Sequence, residues 1–241
     1  TDPAAYNYDP TATMDDGSCC YDPSGCICLK SNPGNNHEQA RAIFSHSGSD
    51  FETATDITVN PGENFELNQI NFPVWLDGDC GGCVISSVTI NYYSHDTIID
   101  SIPDILIYSE TLTSSSISQT FLSAGGWSIF DVALSLTPFT FSGQLGASTT
   151  YWVGIRDMQY AFISYGYAMW EETSATTNGY YNTVHNGSGW MGSMAPWDAV
   201  YEFEGNCISL INAGCMDSLA YNYDPLADTS DGSCCYVAGC T

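Results

Sequence analysis

The chain repeats itself. Residues 1–21, TDPAAYNYDPTATMDDGSCCY, align without a gap to residues 216–236, MDSLAYNYDPLADTSDGSCCY, and 14 of the 21 positions are identical, including the blocks AYNYDP and DGSCCY. A repeat of this kind has to be settled before any fold class is read. Here it divides 241 residues into two small acidic elements and one central stretch long enough for a single sizeable core. The expected organisation is a first repeat copy over 1–29, a core domain over 30–207, and a second copy with the opening of a further one over 208–241.

Gly214-Cys215 precedes the second copy, whereas the first copy starts where its own Gly-Cys should already have passed. Gly239-Cys240-Thr241 then match that missing opening. The pattern reads as one period of a longer array, or as a subunit whose end completes the start of the next, and makes Cys240 an intersubunit candidate. Thr1 opens into a Thr-Asp-Pro turn with no basic or apolar leader, so a signal peptide is expected to have been removed or to lie upstream.

The central region is rich in Val, Ile, Thr, Tyr and Phe, in runs of a few residues broken by Gly, Pro, Asn and Ser, the pattern of many short strands. Alternation is plain in Val88-Thr89-Ile90-Asn91-Tyr92, in Tyr151-Trp152-Val153-Gly154-Ile155 and in Tyr201-Glu202-Phe203-Glu204. Asn178-Gly179 and Asn186-Gly187 are tight-turn dipeptides. A short stretch from His37 to Phe44 suggests a helix. About eight to ten strands are expected, which predicts an all-β chain: an antiparallel β-sandwich, jelly-roll or Ig-like in connectivity.

Charge removes whole classes of function. With 28 acidic and 3 basic residues the formal net charge is −25, and Lys30, Arg41 and Arg156 cannot neutralise a phosphate backbone or an anionic membrane surface. No apolar run approaches the roughly 18 residues of a spanning helix. No nucleic acid and no membrane insertion are therefore expected. The 11 cysteines suit an oxidising, extracellular compartment.

Each repeat is dense in oxygen ligands: Asp2, Asn7, Asp9, Asp15 and Asp16 in the first copy, Asp217, Asn222, Asp224, Asp228 and Asp231 in the second. Carboxylates so crowded repel unless a hard cation neutralises them, and calcium takes six to eight oxygens from a flexible loop; calcium is the expected cofactor. The alternative is that Asp, Asn, Pro and Gly serve as turn residues on a solvated surface.

The form Gly-Cys-x-Asp-x-x-Ala-x-Asn-Tyr-Asp-Pro-x-Ala-x-x-x-Asp-Gly-Ser-Cys, whole at Gly214 to Cys234, resembles cysteine-bracketed acidic repeats of secreted and cell-surface bacterial proteins. It is more distantly similar to the calcium-wrapping type 3 repeats of thrombospondin. The resemblance implies a bracket disulfide from Cys215 to Cys234 with calcium held between. The first copy lacks its opening cysteine, which leaves Cys19 without a bracket partner in this chain and makes it a second intersubunit candidate. The central region resembles, at the level of pattern, β-sandwich modules of bacterial secreted proteins, which are adhesive, structural or carbohydrate-facing.

Other motifs are weaker. Cys80 and Cys83 have the spacing of a redox or zinc knuckle, but no second pair lies nearby, and a local disulfide is the better reading. Cys28 and Cys207 bracket the sandwich, where a staple between its first and last strands fits. Five cysteines remain, so at least one is free or pairs outside the chain. His37, His46, His95 and His185 are scattered, and no HExxH, GxSxG or phosphate-loop pattern occurs. Glu171-Glu172 could serve glycoside hydrolysis, though exposed strand-end charge is the plainer reading. Trp190 and Trp197 could stack on sugar. Asn186 opens a sequon, and Thr97, Ser101 and Ser218 each follow an Asp and precede an aliphatic residue, which resembles sites some bacteria O-glycosylate. These features predict a non-enzymatic structural subunit of an extracellular bacterial filament or array, binding copies of itself head-to-tail. The alternative is a surface adhesin or carbohydrate-binding accessory module.

Overall fold

A computed structural model describes residues 27–34, 37, 39–46, 49–78, 82–99, 101–124, 126–161, 167–174, 183–191, 197–211, 213–230 and 232–237. In chain order the strands are β1 (Ile27–Asn32), β2 (Gln39–Ala42), β3 (Ser45–His46), β4 (Ser49–Asp50), β5 (Glu52–Val59) and β6 (Glu63–Asp77). Next come β7 (Val84–His95), β8 (Pro103–Thr113), β9 (Ile117–Ala124), β10 (Trp127–Phe141), β11 (Thr149–Ala161) and β12 (Ala168–Thr173). The last six are β13 (Thr183–His185), β14 (Trp190–Met191), β15 (Asp198–Ala199), β16 (Tyr201–Ser209), β17 (Ala213–Gly214) and β18 (Thr229–Ser230). Two antiparallel sheets form the sandwich. One has eight strands along β1-β16-β6-β10-β9, with β12, β15 and β2 attached through β6; the other has six, β14-β13-β5-β11-β7-β8. The fold is all-β, as its alternating pattern predicts.

The core lies between the sheets and includes Phe65, Leu67, Ile70, Val74, Val88, Tyr92, Val153 and Phe203. On β6 the buried set runs Phe65 and Leu67, then changes parity to Ile70, Phe72, Val74 and Leu76. The switch is a β-bulge: Gln69 stands opposite Glu204 and Leu67 opposite Gly205, so Asn68 is extra. One added residue moves the following side chains to the other face. Gly205 sits where a Cβ would run into the Glu66 carbonyl, which is why this position carries no side chain.

The helix suggested over 37–44 is corrected. Gln39–Ala42 is a strand paired antiparallel with Met169 to Glu172 of β12, because pairing to a sheet edge outweighs weak local propensity. Among the described residues the only helical turn is a 3-10 turn at Ser114–Ser116. The sandwich strands run from Ile27 to Ser209, slightly beyond the 30–207 read from the sequence. There are more of them than the eight to ten expected, since β2, β13, β14 and β15 are only two to four residues long. Among the described residues no helix is long and apolar enough to cross a membrane.

Candidate functional site

Three regions carry polar chemistry. The first is the second repeat copy. Cys215 and Cys234 are joined, with Cα atoms 4.7 Å apart and a sequence separation of 19. The parallel pair β17 and β18, and a bridge between Cys215 and Tyr223, complete its backbone frame. Its Asp and Asn side chains build turns. Asp217 Oδ1 accepts from the Leu219 N–H at 2.9 Å, and Asp224 Oδ1 from the Leu226 N–H at 2.8 Å. Asn222 clamps the far side, accepting from the Cys235 N–H at 2.8 Å and donating to the Ser233 carbonyl at 2.8 Å. Tyr236 donates its hydroxyl to Asp217 Oδ2 at 2.7 Å. The Leu219 N–H, then Tyr236, holds the Asp217 carboxyl below its ordinary range.

Three of the residues read as calcium ligands, Asp217, Asn222 and Asp224, thus spend an oxygen on donors of the repeat itself. Asp228 is exposed. No cluster of three or more acidic, His or Cys side chains suited to a metal occurs among the described residues. Asp231, and Asp2, Asn7, Asp9, Asp15 and Asp16 of the first copy, lie outside them.

All six described cysteines are disulfide-bonded. Cys28 joins Cys207 across 179 residues, with Cα atoms 5.4 Å apart. Cys83 and Cys235 are bonded to partners outside the described residues, where Cys19, Cys80 and Cys240 also lie.

The hydroxyl positions differ in setting. Thr97 and Ser218 are exposed at the second residue of side-chain turns, in which Asp96 accepts from the Ile98 N–H at 2.7 Å and Asp217 from the Leu219 N–H. The aliphatic neighbours Ile98 and Leu219 are 92% and 84% exposed. Ser101 is half-buried in a left-handed backbone conformation, φ 109°. Asn186 is exposed and accepts from the Ser188 N–H at 3.1 Å.

The second region is a set of buried carboxylates. Glu52 is 2% exposed. It accepts from Tyr93 Oη at 2.9 Å and Asn91 Nδ2 at 3.0 Å, with Arg156 Nη1 3.8 Å away. Beside it Ala54, Tyr93 and Trp152 form a small cluster capped by Trp190, on the outer face of the six-stranded sheet. Burial is the largest influence on Glu52 and pushes its carboxyl above the ordinary range, against Asn91, Tyr93 and Arg156, which favour the charged form, while Asp157 adds to the rise.

This sets a pH dependence. A carboxyl raised in the folded state contributes stability that is full below its unfolded value, about 4.3, and lost as pH rises through the raised native value. Glu52→Gln is therefore expected to gain stability relative to the native chain between pH 4 and pH 7, measured by denaturant unfolding at both pH values. An equal change at both would show that Glu52 carries no such linkage.

Glu171 and Glu172 are not exposed strand-end charge: they are 2% and 1% exposed. Glu171 Oε2 accepts from Trp75 Nε1 at 3.0 Å and pairs with His37 Nδ1 at 2.5 Å, while Glu172 Oε1 pairs with Arg41 Nε at 2.6 Å. As neighbours on one strand they point to opposite faces, so they cannot flank one glycosidic bond. Lys30 pairs with Glu63 at 3.2 Å, so all three basic side chains are engaged with acids and form no basic patch. None of the six tryptophans is exposed; Trp190 packs on Tyr93 and His185, and Trp197 is half-buried.

The third region is a groove of about 450 Å³ on the outer face of the eight-stranded sheet. One register row crosses it: Ser31, Glu202, Asn71, Ala133 and Ser118, on β1, β16, β6, β10 and β9. Gln69 donates to Asn71 and Glu204, and Asn71 donates to Glu202. Farther along β6 and β10 the half-buried Trp75 and Trp127 lie 6.5 Å apart. Sequence reasoning missed this ladder and the Glu52 cluster. The available signal was Arg156, one of three cations in a strongly acidic chain, placed inside a strand.

No protein-family model and no curated protein matches this chain.

Proposed function

We propose that the chain is a structural unit of an extracellular bacterial filament or surface array, in which disulfide-closed acidic repeats join successive sandwiches head-to-tail. The observation that carries this reading is the place where the chain enters and leaves the sandwich. β1 and β16 are antiparallel neighbours, with Ile27 opposite Asn206, so the segments before Ile27 and after Ser209 depart from the same end of adjacent strands. In sequence, the same repeat precedes the first of these strands and follows the second. Repeats joined end to end would form a continuous shaft from which each sandwich projects.

Calcium belongs to the proposal through the repeat's resemblance and its density of carboxylates. It would share Asp217, Asn222 and Asp224 with their N–H and O–H donors, or draw on Asp231 and the first copy. Thr97, Ser218 and Asn186 are the proposed glycan positions, on the strength of their exposure. The oxidised full chain is expected to form oligomers by light scattering and electron microscopy when calcium is supplied, and fewer in EDTA. A monomer under every condition, with no fibres in the native source, would replace this reading by the alternative of a carbohydrate-binding or adhesive module. The groove row of amides and carboxylates on the eight-stranded sheet favours that alternative, and a glycan array would reveal its ligand.

A further inference from the structure

We propose that the cystine of Cys28 and Cys207 is a mechanical shunt: tension passing from the first repeat to the second runs through this bond and bypasses the β-sandwich. Its biological use rests on the reading of the chain as a link in an array. The mechanical property requires only that force be applied before Cys28 and after Cys207.

The geometry of the corner makes the case. Because β1 and β16 are antiparallel neighbours, a pull on the segments before Ile27 and after Ser209 acts at one end of their ladder. It peels the strands apart, so the backbone hydrogen bonds from Ile27 opposite Asn206 to Asn32 opposite Tyr201 are loaded one after another. β1 is also an edge strand, and among the described residues its backbone ladder runs to β16 alone. Left to its hydrogen bonds, this corner is where the sandwich yields first.

The cystine sits at the mouth of that ladder. Cys28 stands opposite Gly205, two residues from Cys207, and both cysteines are partly buried against the core. The bond therefore meets the load before the hydrogen-bonded pairs farther along do. Lys30 ties the same strand to β6, with Nζ 3.2 Å from Glu63 Oε1 and 5.1 Å from the centre of the Phe65 ring. Without the covalent link, the 179 residues of sequence separation could draw out to about 600 Å. With it, that length is withheld from the shaft, and the displayed sandwich keeps its fold under tension.

The test is single-molecule force spectroscopy on the full chain, held by handles fused at its two termini. Oxidised protein is expected to show no lengthening step near 600 Å, and the double variant Cys28→Ser with Cys207→Ser to show one at low force. If that variant is not folded at zero load by circular dichroism, reductant added to folded native protein under tension is expected to release the same step. A 600 Å step in the oxidised native chain, or none after loss of the cystine, would overturn the proposal. Failure of the array reading is seen separately as a monomer by light scattering, and leaves the force measurement unchanged.

Discussion

Replacing Cys28 and Cys207 together by alanine is expected to lower the melting temperature of the sandwich by about 10–20 °C. The cystine closes a loop of 179 residues, and on the chain-entropy account a loop of that length restrains the unfolded state by about 5 kcal/mol. In a domain of this size each kcal/mol moves the midpoint by roughly 2–4 °C. The Cys215 to Cys234 link, 19 residues apart, is worth about 3 kcal/mol on the same account. Its loss is expected to loosen the repeat and leave the sandwich midpoint in place, since the repeat's exposed Leu219, Tyr221 and Leu226 provide no core of their own. Calorimetry on both variants checks the contrast. A fall of less than 5 °C for the Cys28 and Cys207 variant would show that this loop closure does not govern stability.

Gly154→Ala is expected to cost about 3 kcal/mol, the upper part of the range for overpacking a filled site. A Cβ at this position runs into Glu52 Oε1, and the Tyr93 ring lies 3.2 Å from it. Glu52 cannot move aside without giving up Asn91 and Tyr93, and a buried carboxylate deprived of donors is costly. In a Glu52→Ala background the clash partner is gone, so the same substitution should cost much less, with a coupling above roughly 1 kcal/mol in a double-mutant cycle. Additive effects, measured by urea unfolding of the four chains, would show that the contact is relieved elsewhere.

Alternation along β7 and β16 was legible because each of those strands places one face on the shared core, and the hydrophobic pattern records that burial directly. On β11 the alternation holds, with Tyr151, Val153 and Ile155 on the core face, but it says nothing of what covers the opposite face. Trp152 points away from the inter-sheet core but is fully buried, because Tyr93 and Trp190 cover that outer face. The sequence reading failed at Glu171 and Glu172, whose burial depends on His37, Trp75 and Arg41 arriving from the segment before β2, from β6 and from β2. Nothing local to Trp170-Glu171-Glu172 distinguishes a paired interior carboxylate from a solvated one. The bulge at Asn68 was hidden for a related reason: it is defined against two partner strands and carries no signature residue of its own on β6.

The all-β class, the framing repeats and the absence of a basic surface follow from the sequence alone, since periodicity, self-similarity and charge count depend only on the order of residues. The residues of the repeat cystine are also present in the motif, nineteen positions apart. What only the tertiary structure decided is where distant segments meet. It set β1 beside β16, so that the chain enters and leaves the sandwich at one corner closed by Cys28 and Cys207. It turned Asp217, Asn222 and Asp224 onto the repeat's own backbone N–H groups. It also gathered Glu52, Asn91, Tyr93 and Arg156 from three strands into one buried cluster. These outcomes depend on the competition between burying a group and finding it a partner, and the partners are supplied by residues far away in the chain.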